Sequence, residues 1–115
     1  MSSTKSSVDH LLFQMRHAGN VSARAMFGEF AFYCDGKVVA LLCDDQLFLK
    51  PVPAAETFIG RHDKGPPYGG AKPHIIVTED NWDDPQWLSH LIRLTADALP
   101  APKPKPARNG KRFVT

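Results

Sequence analysis

Cysteine is scarce in this 115-residue chain, which has two, so no disulfide framework holds it together and both are expected to be reduced thiols. Long apolar runs are missing as well. The longest runs from Val38 to Leu42, extended at most by Cys43, far below the roughly 20 residues that span a bilayer. No membrane helix is expected. The N-terminal "MSSTKSSVD" lacks the apolar centre of a secretory signal, which makes the cytoplasm the default compartment. Catalytic signatures are missing too: there is no nucleophile elbow, no His-Glu-x-x-His and no Cys-x-x-Cys. No catalytic residue, metal site or cofactor is therefore assigned.

What is present suits one globular domain. Hydrophobic residues make up 43% and charged residues 23%, ordinary values for a chain able to bury a core. Charge is uneven, with nine Lys and Arg against twelve Asp and Glu over residues 1–99, and five basic residues with no acidic one over 100–115. The division expected is a folded domain over 6–99 and a disordered Pro/Lys-rich tail over 100–115.

Within the domain, Ser6 and Asp9 resemble a capping box, and Val8, Leu11, Leu12, Met15 and Ala18 recur at helical spacing up to Gly19-Asn20. Residues 24–34 read as one strand ending at Asp35-Gly36, a strong hairpin signal, and "VVALLC" returns from it. Asp44-Asp45 then separates "QLFLK", completing a three-strand meander. A short helix over 54–59, an extended piece at Tyr68 and a strand at "PHIIVTE" follow. Asp84 as cap and Pro85 at the first helical position open a final helix with Trp87, Leu88, Leu91, Ile92, Thr95, Ala98 and Leu99 on one stripe. The fold class is α+β: an antiparallel meander of three strands plus one or two more, packed in two layers with an N-terminal and a C-terminal helix.

A two-residue turn at Asp35-Gly36 sets Phe32 opposite Val39, Phe30 opposite Leu41, Glu29 opposite Leu42 and Gly28 opposite Cys43. Alternation then places Met26, Phe30, Phe32, Cys34, Val39, Leu41, Cys43 and Phe48 on one face, and Phe27, Glu29, Ala31, Tyr33, Val38, Ala40, Leu42, Leu47 and Leu49 on the other. Both faces are apolar, so the second should be covered by this chain or by a partner copy. Glu29 should sit toward a rim, Gly28 at a bulge or close approach. Cys34 and Cys43 should lie too far apart to bond within one chain.

Two segments could bind something. The loop over 61–72, with "GPPYGGAK", has glycines and Lys72, but Ala71 breaks the phosphate-loop spacing and Pro73 and a strand follow instead of a helix. Small-ligand or nucleotide binding there is an alternative. His10 and His17 read as a solvated helix face, and Trp82 and Trp87 as packing at the start of the last helix. In the tail, Lys103, Lys105, Arg108, Lys111 and Arg112 could bind nucleic acid weakly through phosphates, or keep the terminus soluble.

The stretch "RAMFGEFAFYCDGKVVALLCDDQLFLK" resembles the N-terminal domain of the TfoX/Sxy family, regulators of natural competence. Arg24, Met26, Phe27 and Gly28 stand where the family shows Arg-x-Met-Phe-Gly. Tyr33, Asp35 and Gly36 match Tyr-x-Asp-Gly, and Leu47, Leu49 and Lys50 match Leu-x-Leu-Lys. Tyr68, Lys72-Pro73 and residues 84–99 resemble the later loop, strand and helix. Asp45 replaces a common Gly and must accept a left-handed conformation. A Pro-Lys tail stands in place of the helical C-terminal domain of the competence regulators. The resemblance implies an α+β domain without a known catalytic site and an accessory part in transcription through protein contact. The expectation is a non-enzymatic interaction domain, partnered by itself as a homodimer or by transcription machinery.

Overall fold

The computed structural model describes residues 5–26 and 29–100. The opening amphipathic stretch forms α1 (Lys5–Gln14), followed by a 3-10 turn at Arg16–Ala18. Val8, Leu11, Met15 and Ala18 are buried, as a 3.6-residue period places them on one side. Because the helix already runs from Lys5, Ser6 lies inside it and not at its cap, where the unpaired N–H groups are found.

Six antiparallel strands follow: β1 (Val21–Met26), β2 (Glu29–Cys34), β3 (Lys37–Cys43), β4 (Gln46–Leu49), β5 (Asp63–Gly65) and β6 (His74–Val77). They form one sheet in the order β1-β2-β3-β4-β6-β5. The expected single strand over 24–34 is two strands, paired from Val21 opposite Cys34 to Met26 opposite Glu29. The meander therefore has four strands, and Glu29 sits at the hairpin end beside the β1 edge. The turns at Asp35-Gly36 and Asp44-Asp45 have φ of 53° and 83°, and of 55° and 58°. Positive φ at both central positions is what a tight hairpin turn needs to match strand twist, and Asp tolerates it better than most residues.

The register between β2 and β3 corrects the sequence reading. Tyr33 stands opposite Val38, but Phe32 stands opposite Ala40, with Leu42 opposite Phe30 and Leu41 opposite Ala31. Val39 is an extra residue, a β-bulge. Side chains alternate with period two, so one inserted residue inverts every later position. Leu42, Leu47 and Leu49 thus join Phe30 and Phe32 on the helix side, while Leu41, Cys43 and Phe48 share the other face with Ala31 and Tyr33. Cys34 and Cys43 are free thiols on opposite faces.

Two further helices, α2 (Pro53–Ile59) and α3 (Pro85–Ala98), join α1 on one face. α1 lies against β1, α3 against β2 and β3, and α2 beside α3. A 2.7 Å ion pair from Lys64 to Glu56 ties β5 to α2. Asp84 caps α3 by accepting from the Trp87 N–H at 3.1 Å, with Pro85 at the first turn. Leu88, Leu91, Ile92 and Thr95 turn inward as the spacing predicts, joined by Ala96 in place of Ala98. Trp82 is buried and donates from Nε1 to the Val77 carbonyl at 3.0 Å; its own carbonyl accepts from Gln14 Nε2 at 2.8 Å. The buried polar atoms here are paired, as an interior of low dielectric requires. Tyr68 lies in a turn and not on an extended piece; the short strand of that segment is Asp63–Gly65.

Candidate functional site

The helices occupy one face of the sheet. On the other, Ala31, Leu41, Cys43 and Phe48 form a second cluster, flanked by Tyr33, Val38 and Ile76. No described helix residue belongs to this cluster, although its four members are each at most 8% exposed. Pairing fixes its rows. Arg24, Ala31, Leu41, Phe48, Ile76 and Asp63 lie side by side across all six strands. Toward one end, Ser22 and Tyr33 lead to Val38; Lys50, two residues past Phe48, and His74, two before Ile76, border the same end. Toward the other end lie Met26, Glu29, Cys43 and Gln46. The middle is apolar and buried, while the periphery carries long side chains. Met26 is 41% exposed, a high value for an apolar residue. Burial raises the thiol pKa of Cys43, with the carboxylates of Glu29 and Asp44 adding to it, so this thiol is not an activated nucleophile.

The resemblance residues divide into two groups. Leu47 and Leu49 are fully buried under the helices and serve the core. Arg24, Met26, Tyr33 and Lys50 share the face to which no described helix residue contributes, Met26 toward one end and Tyr33 and Lys50 toward the other, although the sequence parity puts Met26 and Tyr33 on opposite sides. The parity fails because the chain reverses between Met26 and Glu29.

Asp35 and Gly36 form a turn, and Asp35 does more. Its Oδ2 accepts from Arg93 Nη1 at 2.8 Å and its Oδ1 from the Asn20 N–H at 3.0 Å, while its own N–H donates to the Asn20 carbonyl at 2.9 Å. Arg93 Nη1 also donates to the Ala18 carbonyl at 2.8 Å, and Nε and Nη2 donate to Asp97. One carboxylate and one guanidinium thus join the β2–β3 turn, the α1–β1 connection and α3. Beside them Lys37 Nζ donates to the Ala96 carbonyl at 2.8 Å. Sequence reasoning missed Arg93, whose only local signal is the i, i+4 spacing to Asp97.

The Arg93 hydrogen bond, then the Asn20 N–H, hold the Asp35 carboxyl below its ordinary value of 3.8. A depressed folded-state pKa stabilises the fold in full above the unfolded value and loses that contribution as pH falls through the folded one. Asp35→Asn should therefore lower the urea midpoint relative to wild type at pH 7, with the gap narrowing as pH drops below about 4. A gap independent of pH would show that the carboxylate charge is not what the clamp uses.

The loop over 61–72 is organised around its own backbone. His62 Nδ1 is 2.6 Å from the Gly60 carbonyl and His74 Nδ1 is 2.8 Å from the Lys72 carbonyl. The Ala71 N–H donates to the Tyr68 carbonyl. Gly70 has φ of 86°, which explains a glycine there, and Tyr68 is 59% exposed. Lys72 and Pro73 are exposed and lead into β6, so no helix N-terminus faces the glycines. His10 Nε2 lies 3.2 Å from Asp83 at an open, solvent-facing cleft between α1 and residues 79–83. Trp87 stacks near Phe58, with ring centroids 5.7 Å apart. Phe27, Gly28, Lys103, Lys105, Arg108, Lys111 and Arg112 lie outside the described residues. No described helix is long and apolar enough to cross a membrane.

An open antiparallel sheet with helices on one face defines a two-layer α+β protein. The model of the TfoX N-terminal domain family matches residues 13–99, and the chain belongs to that family. A relative from Spirochaeta aurantia, described as an "uncharacterized 12.7 kDa protein in trpE 5'region", is 46% identical over 83 residues, 72% of this chain and 71% of the relative.

Proposed function

We propose that this chain is a non-enzymatic interaction domain and an accessory regulator of gene expression, acting in the cytoplasm through protein contact. The observation that supports this reading is that Arg24, Met26, Tyr33 and Lys50 lie on one sheet face to which no described helix residue contributes. Arg, Met and Tyr are enriched at protein-binding surfaces, and Arg24 and Met26 are exposed on this face. Family membership adds the regulatory context. The test is affinity capture from the host lysate using full-length protein, a chain ending at Leu99, and full-length Arg24→Ala/Lys50→Ala. RNA polymerase subunits or a transcription factor should be retained by the first two and lost by the third. Retention of nucleic acid alone, by the full-length form only and sensitive to salt, would move function to the tail and overturn the reading.

A further inference from the structure

The two edges of the sheet differ. β5 is three residues long and carries Asp63 and Lys64, the sort of short, charged edge that discourages pairing. β1 has six residues, no proline, no bulge in its pairing and a single charge. The Asp35 N–H bonds to the Asn20 carbonyl, which fixes the parity of the ladder: Ser22, Arg24 and Met26 direct their backbone groups to β2. Val21, Ala23 and Ala25 direct theirs outward, where no described group meets them.

We propose that this edge pairs with β1 of a second copy, antiparallel about a two-fold axis at Ala23, to give a sheet continuous across both chains. The idea rests on the reading of the chain as a protein-interaction domain and names its first partner. Centred on Ala23, the pairing sets Ala23 opposite Ala23, Val21 opposite Ala25 and Ser22 opposite Arg24 of the second copy. All three outward residues of each chain are matched, giving about six hydrogen bonds, two for each pair. Small side chains meet at the axis, and the two arginines are offset so that each faces a serine and not its like charge, which would be destabilising. Asn20 limits the register, since both its N–H and its carbonyl are already engaged by Asp35. A free peptide could make the same ladder but would lose about 1–2 kcal/mol of backbone entropy for each residue ordered. A second β1 is already held by its own β2, so the second copy is the favoured occupant.

Light scattering on the full-length protein should give twice the 12.7 kDa chain mass. Ala23→Pro removes an outward N–H that no intrachain bond uses, and should give a folded monomer. A crosslink covers the case in which the proline variant fails to fold. Ser22 and Arg24 of opposite chains form a non-hydrogen-bonded pair, with Cα atoms about 4.5 Å apart, within disulfide range. Mixing Ser22→Cys with Arg24→Cys protein under mild oxidation should give a disulfide-linked heterodimer, with far less linkage in either protein alone; native Cys34 and Cys43 are buried. A monomer at every concentration overturns the proposal, as does a dimer indifferent to Ala23→Pro. A dimer that links equally well in unmixed samples overturns the register. Loss of the dimer without loss of transcription-protein capture would leave the proposed function standing, and the reverse result would leave the dimer standing.

Discussion

Phe32→Ala is expected to lower stability by about 3–5 kcal/mol, the range for removing a buried aromatic ring. The ring is fully buried on the helix side of β2. Its cross-strand neighbours are Ala23 on β1 and Ala40 on β3, so it is flanked by two of the smallest side chains and fills the space over three strands. Neither alanine can expand into the cavity left behind. With total stability for a domain of this size at about 5–15 kcal/mol, the loss takes a large share of it. Urea unfolding should show a much lower midpoint with an unchanged slope, which separates a weakened native state from a changed denatured one.

Phe48→Ala provides the contrast. Phe48 is 4% exposed and lies on the face to which no described helix residue contributes; its cross-strand neighbours are Leu41 and Ile76, whose longer side chains can relax into the space it leaves. Its cost should be clearly smaller. If the two substitutions cost the same, the second face is as tightly covered as the first, and its reading as a contact surface loses its basis.

The contrast depends on a register that the residues alone did not disclose. The run from Val38 to Leu42 is apolar throughout, so no polar residue marks which side each position faces, and the bulge at Val39 leaves no trace in the sequence. β1 is equally hidden as a separate strand: residues 24–26 read as the start of β2, and "VSARAM" has weak strand character of its own. By contrast α3 was readable, since Asp84 and Pro85 define its start within two residues and the stripe is long. The Asp35-Gly36 turn was readable because few dipeptides accept positive φ twice. The fold class therefore emerged from local signals. The helix-free site did not, because assigning Met26 and Tyr33 to one face requires knowing that the chain reverses between Met26 and Glu29.

Gly19→Ala should cost about 1–3 kcal/mol from backbone conformation alone. Gly19 has φ of 144° and ψ of −147°, a region nearly closed to residues with a side chain. The substitution also acts through a second route. A Cβ at this position would stand 2.8 Å from Arg93 Nη1 and 3.0 Å from Asp35 Oδ1. Arg93 is flexible and could move, but Nη1 is the atom that bonds both Asp35 Oδ2 and the Ala18 carbonyl. Relief of the contact therefore breaks the clamp. The two routes separate in a double-mutant cycle. Once Arg93→Ala has removed the clamp, adding Gly19→Ala should cost the backbone part and the Asp35 contact but no longer the Arg93 bonds, so the pair destabilises less than the sum of the single changes. Gly19→Ala should also lose the part of the acid sensitivity that Asp35 contributes, as Asp35→Asn does. Strict additivity with Arg93→Ala, together with a retained Asp35-dependent acid response, would mean that Gly19 serves only the chain's change of direction after α1 and that the clamp tolerates a side chain beside it.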